Sequence, residues 1–204
     1  MSSIMVYQPH PRFLKLYQAI DFQDIDLLKT LLSNKQYLVH LDWDEDREDY
    51  ETLLEQAVAI GNLAIVQILL EKGHNLPYWS RCLGVSIALA ANLNNLEIVQ
   101  TLIDAGADAN TKVREPPIIP AAGTGNIQLV QLLISSGADV NSVREEGVTP
   151  LMTASISGSI EIVKLLVEHG ARVDATLVDG WQTALHLARY YKHEDVCQYL
   201  EAHI

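Results

Sequence analysis

The sequence predicts an all-α solenoid of stacked helix-turn-helix units. Three observations lead there. A turn residue followed by an apolar-rich run begins at positions 23, 61, 94, 125, 158 and 192, at spacings of 38, 33, 31, 33 and 34 residues. Within the copies the apolar residues recur with the period of an α-helix. A pair of small residues stands ahead of four of the turns, at Ala57/Val58, Ala90/Ala91, Ala121/Ala122 and Ala154/Ser155. A period of this length marks an array in which one unit cannot bury its apolar face alone, while stacked copies bury a continuous core.

Taken in order, the copies differ in strength. The first is weak, DIDLLKTLL from Asp24. The next four are close variants: GNLAIVQILLEKG from Gly61, NNLEIVQTLIDAG from Asn94, GNIQLVQLLISSG from Gly125 and GSIEIVKLLVEHG from Gly158. The last, HEDVCQYL from His193, is weak again. Each is the second helix of a pair. In the fifth copy Ile160, Val163, Leu166 and Val167 share one face, and Gly170 follows the last turn, where a left-handed residue closes a helix cheaply. The first helix is clearest in TPLMTAS from Thr149. Thr149 suits the N-cap, and Pro150 suits the first helical position, where its missing N–H costs nothing. The small pairs let neighbouring first helices approach closely.

Thr149-Pro150-Leu151-Met152, Thr183-Ala184-Leu185-His186, GADAN at 106–110 and GADVN at 137–141 resemble the ankyrin repeat, as do the period and the closing glycine. The resemblance covers residues 14–204. It implies an all-α ankyrin-repeat solenoid, elongated and slightly curved, whose turns project as β-hairpin fingers. Fingers and first helices would form a concave surface that grips partner proteins. It also implies that His186 bonds the start of its helix. The chain divides into an N-terminal extension, 1–13, and a single repeat domain, 14–204, with repeats at about 14–47, 48–80, 81–112, 113–145, 146–178 and 179–204.

Several positions depart from the pattern. The 38-residue spacing places about five extra residues in the first finger, within 41–50. Val85-Ser86-Ile87-Ala88 stands where the family has Thr-Pro-Leu-His. In the fourth repeat Pro120 falls about four residues into its helix, removes a backbone donor, and is expected to distort or shorten the first turn. The final helix alternates Val196, Tyr199 and Leu200 with Glu194, Asp195, Gln198 and Glu201, as a capping repeat requires. Phe13, Leu14, Leu16, Tyr17, Leu27, Leu28 and Leu31 can form the opposite cap.

Composition bounds the function. Hydrophobic residues make up 49% and charged residues 20%, ordinary for a globular protein. The net charge of −12 disfavours direct binding to nucleic acid or anionic lipid and suits a basic partner or simple solubility. Cys82 and Cys197 are too few for a disulfide framework or a zinc site and read as free thiols of a reducing compartment, so the expected location is the cytoplasm. The first 20 residues lack the continuous apolar region of a secretory signal, and no stretch approaches the ~18 apolar residues of a membrane helix. No phosphate loop, nucleophile elbow or His-Glu-x-x-His helix is present, so no enzyme, cofactor, metal or small-molecule substrate is expected. Asp42, Asp44 and Asp46 resemble the opening of a calcium loop, but Arg47 and Leu53 stand where glycine and glutamate are needed.

What remains is a surface for a partner protein. The residues before each turn are expected to face the groove: Ala59/Ile60, Asn92/Leu93, Gly123/Thr124, Ile156/Ser157 and Tyr190/Tyr191. The fingers are expected to carry Trp43, Tyr50, Tyr78, Trp79, Arg81, Arg114, Arg144 and Trp181. Trp, Tyr and Arg are the types that anchor interfaces, although Trp79 and Trp181 also suit local packing between fingers. The candidate partner-binding residues are thus Trp43, Tyr50, Tyr78, Trp79, Arg81, Arg114, Arg144, Ile156, Trp181, Tyr190 and Tyr191. The acidic finger at 42–51 suits either a solvated insertion or a basic partner. The alternative function is a self-assembling or structural subunit of a larger complex.

Overall fold

A computed structural model describes residues 14–33, 53–73, 79–178 and 180–204. Among them the chain forms twelve α-helices in six consecutive pairs: α1 (Leu14–Asp21) with α2 (Ile25–Leu32), α3 (Leu53–Ile60) with α4 (Leu63–Gly73), α5 (Trp79–Asn92) with α6 (Leu96–Asp104), α7 (Ile118–Gly123) with α8 (Ile127–Ser135), α9 (Pro150–Ser157) with α10 (Ile160–Glu168), and α11 (Ala184–Tyr190) with α12 (Glu194–Glu201). The turn inside every pair falls where the sequence pattern put it. Gln23, Gly61, Asn94, Gly125, Gly158 and Lys192 all have positive φ, between 53° and 76°. Three of these are glycine, for which the left-handed region is free; Gln23, Asn94 and Lys192 keep a Cβ there at a cost of about 1–2 kcal/mol for a residue with no local bond.

The residue after each turn starts the second helix. Oδ1 atoms of Asp24, Asn62, Asn95 and Asn126 accept the N–H groups of Leu27, Ile65, Ile98 and Leu129 at 2.9, 3.2, 3.1 and 3.2 Å. Each cap satisfies a donor that the helix itself cannot, and contributes about 1 kcal/mol. Ser159 and His193 hold the same position without a side-chain cap bond.

First helices line up in the order α1, α3, α5, α7, α9, α11, and second helices in the order α2, α4, α6, α8, α10, α12, each packed on its neighbours in the row and on its partner. The core lies between the two rows. Second helices bury one stripe, such as Ile98, Val99 and Leu102 in α6 or Leu129, Val130 and Leu133 in α8. First helices are sandwiched on both flanks, and the small pairs Ala57/Val58, Ala90/Ala91, Ala121/Ala122 and Ala154/Ser155 are fully enclosed there. One expected face shifts. In α10 the buried stripe is Ile162, Val163, Leu165 and Leu166, while Ile160 and Val167 only lean on the core. The helix presents its stripe to α8 and α12 as well as to α9, so the buried arc is wider and rotated.

Pro120 acts as the sequence suggested. In α9 the N–H of Thr153 reaches the carbonyl of Thr149 at 3.1 Å. Pro120, at the corresponding place in α7, has no N–H to offer. The carbonyl of Pro116 is met by the N–H of Ile119 at 3.0 Å instead, tightening the first turn to a 3-10 step, and α7 is only six residues long.

The expected β-hairpin fingers are corrected. Among the described residues the strand-type pairing is one isolated antiparallel bridge, Thr176 with Thr183. The fingers are side-chain-stapled turns. Asp108 accepts the N–H of Asn110 at 2.8 Å, and Asp139 that of Asn141 at 2.9 Å. Asn110 donates to the Gly137 carbonyl at 2.8 Å and accepts from the Asp139 N–H at 2.7 Å. Asn141 repeats this one unit on, with the Gly170 carbonyl at 3.0 Å and the Arg172 N–H at 2.9 Å. Two fingers keep one hairpin-type backbone bond each, from the Arg144 N–H to the Val148 carbonyl at 3.1 Å and from the Leu177 N–H to the Gln182 carbonyl at 3.0 Å. The expectation that all tryptophans sit on fingers is corrected too. Trp79 opens α5, is 8% exposed, and lies against Gly73, where any Cβ would overlap its ring.

Candidate protein-binding surface

The residues just before the turns form one row along the stack. Phe22 is 81% exposed, Leu93 is exposed, Ile60, Thr124 and Ile156 are half-buried, Ser157 is exposed, and Tyr190 is 79% exposed beside the exposed Tyr191. The row is apolar from Phe22 through Ile60 to Leu93, is interrupted by the polar Thr124 and Ser157, and ends on the two tyrosines. Phe22 was not among the sequence candidates, although it holds the same register before Gln23 that Leu93 holds before Asn94.

Aromatic side chains gather in the last pair. The Tyr190 and Tyr191 rings meet edge-on at 5.1 Å, and Tyr191 stacks on His193 at 6.5 Å. His193 in turn is fixed: its Nε2 stands 3.0 Å from the Ile156 carbonyl, which can only accept, so this nitrogen carries the proton. Trp181 remains largely exposed, with its ring edge-on to His186 at 6.2 Å. His186 closes a reciprocal cap. Its N–H reaches Thr183 Oγ1, the Thr183 N–H reaches His186 Nδ1, both at 3.4 Å, and Oγ1 and Nδ1 are 2.9 Å apart. His169 caps α10, with Nδ1 2.8 Å from the Leu165 carbonyl.

The arginines are partly spent on the fold. Arg114 Nη2 lies 2.9 Å from Glu55 Oε1, and Glu55 is 1% exposed. A carboxylate that deep needs a compensating charge. Arg144 Nη1 lies 3.0 Å from Glu115 Oε2. Arg114, Glu115, Arg144, Glu145 and Glu146 line a cleft of about 520 Å³ between the third and fourth fingers. Arg81 is exposed on the first turn of α5. Trp79 is removed from the candidate surface by its burial. Trp43, Tyr50, Tyr78 and the acidic segment 42–51 lie outside the described residues.

Cys82 and Cys197 are free thiols, and burial pushes the Cys197 thiol above its ordinary range, which makes it a poorer nucleophile. Among the described residues no three His, Cys, Asp or Glu side chains are placed to hold a metal ion, and no helix is long and apolar enough to cross a membrane.

A two-row helical solenoid with left-handed turns and an exposed turn row defines a class of repeat proteins that present surfaces instead of pockets. The family model for ankyrin repeats matches in three copies, over residues 16–113, 87–176 and 118–203. The chain belongs to the ankyrin-repeat family. Members of this family generally serve as protein–protein interaction modules and are typically non-catalytic. A search of curated proteins gave no match.

Proposed function

We propose that this protein binds a partner protein along its turn row and fingers, on the concave face that the family's stacking implies, and acts in the cytoplasm as a regulator or scaffold. The observation that carries this reading is the exposed aromatic group of the last pair. Tyr190 and Tyr191 are held by each other and by His193, Trp181 meets His186, and Tyr190 and Trp181 keep most of their surface in water while Tyr191 keeps about half. Rigid, half-apolar anchors of this kind lose little entropy on docking and supply most of an interface's affinity. The net charge of −12 favours a partner with a basic surface.

The test is capture from the native lysate, comparing the unmodified chain with a Tyr190→Ala, Tyr191→Ala variant. A protein retained in fixed proportion by the first and lost by the second, at an unchanged melting temperature, supports the reading. If both retain the same protein, the site lies elsewhere. If the purified chain instead runs as a multimer that the substitutions break, the surface serves self-assembly.

A further inference from the structure

We propose that the last three fingers dock an extended segment of the partner that is rich in lysine or arginine and carries an apolar side chain at about every third position. This rests on the protein-binding reading and names the partner's chemistry. The tripeptide Val-Arg-Glu occurs twice, at 113–115 and 143–145. In both copies the arginine turns back to a carboxylate on an earlier segment, Glu55 or Glu115, and the valine is left in water. Val143 is 57% exposed. In the next finger Val178 is 80% exposed, and its N–H donates to the Glu146 carbonyl at 2.9 Å, so the fourth and fifth fingers are fastened together. Gly147 allows that approach, since a Cβ there would press on the backbone of 176–178. Trp181 stands exposed further along the same finger. Three successive fingers therefore offer one apolar side chain each, on backbone held by bonds to its neighbours.

Charge decides the occupant. The cleft at these fingers is lined by Arg114, Glu115, Arg144, Glu145 and Glu146. Arg114 is matched by Glu55 and Arg144 by Glu115, while neither Glu145 nor Glu146 forms an ion pair among the described residues. Two negative charges are left over beside the exposed valines; Lys112 flanks Val113 but does not line the cleft. Packed helices lie about 8–10 Å apart, which sets the finger spacing. A segment in the polyproline-II conformation rises about 3.1 Å per residue with three residues per turn, so every third side chain falls on one face about 9 Å from the last and meets a finger, while the residues between reach the carboxylates.

The test measures fluorescence anisotropy of labelled peptides, long enough to span three fingers, up to about 1 mM. The probe carries valine at every third position and lysine elsewhere. One control replaces lysine by glutamate, and another keeps the composition but clusters the valines. The expected result is binding of the probe about tenfold or more tighter than either control, weakened about tenfold by E145Q with E146Q and separately by V143S with V178S, at unchanged melting temperature. Equal binding of probe and clustered isomer, no detectable binding, or indifference to both pairs of substitutions overturns the proposal. The two readings separate cleanly. A natural partner lost on Tyr190→Ala, Tyr191→Ala but kept by E145Q with E146Q and by V143S with V178S leaves the protein-binding reading standing and removes this one.

Discussion

Gly158 and Gly125 hold the same turn in neighbouring pairs, with φ of 71° and 76°, yet their surroundings differ. A Cβ on Gly125 would reach Ser159 Oγ at an ordinary 3.7 Å, whereas one on Gly158 would overlap the His193 imidazole. Gly125→Ala should thus cost about 1–2 kcal/mol, the left-handed backbone alone. Gly158→Ala should cost more, and adding His193→Ala should return the excess. Equal losses in chemical denaturation would show that the imidazole moves aside freely. Ser86 lies at the other extreme. Its hydroxyl is fully buried in α5 with no hydrogen-bond partner among the described residues. Removing an orphaned polar atom relieves its desolvation cost, so Ser86→Ala should leave stability unchanged or raise it by about 1 kcal/mol; a clear loss would point to a bond this geometry lacks. Cys197 is half-exposed while Cys82 is buried. Alkylation of the native protein should therefore label Cys197 first. Because burial holds its thiol protonated, the rate should stay below that of a free thiol near neutral pH and climb as pH rises.

At the scale of elements, the four second helices that begin with Asp or Asn carry a side-chain cap, and the two that begin with Ser159 and His193 do not. Helix α7 is the element at odds with its neighbours. Pro120→Thr, which copies Thr153 of α9, restores an N–H for the Pro116 carbonyl. It should raise stability by about 0.5–1 kcal/mol, a modest figure because Ile119 already serves that carbonyl. A melting temperature that stays or falls would mean that the tightened turn satisfies α7 fully. Between elements, Asn110 and Asn141 each tie two repeats with a pair of backbone bonds.

Across the whole molecule, each pair packs substantially only on the pairs before and after it. Stability in such an array is close to a sum over neighbours, so the outermost pairs are held from one side. Hydrogen exchange should be slowest in α5 to α10 and fastest in α1, α2 and α12; a uniform profile would mean that the stack opens as one unit. The same linear construction explains where a binding surface can lie. First helices are enclosed on both flanks and second helices on their inner stripe, which leaves the turn row, the fingers and the outer faces of the second helices, with Gln67, Gln100, Gln131 and Lys164, as the surfaces that repeat along the molecule.

Much of this was written in local chemistry. Turn positions, caps, apolar stripes, enclosed small pairs and the strain at Pro120 depend on residues within a few positions of each other, and such interactions look the same in sequence and in space. So the sequence by itself determined the repeat, its phase and the family. It did not determine which surface residues are free. Trp79 and Trp181 read alike on paper, but Gly73 gives one a bed in the core and nothing covers most of the other. Arg114 looked like an anchor until the stack brought it to Glu55, 59 positions earlier. The exposed Val113 and Val143 carried a signal, the repeated Val-Arg-Glu, whereas Val178 had none, and the exposure of all three is set by how the fingers stack. The finger conformation also escaped, because Asn110 and Asn141 bond the backbone of the next repeat, about 30 positions on. Contacts between repeats decide these matters, and a contact made across tens of residues leaves no periodic trace in the chain.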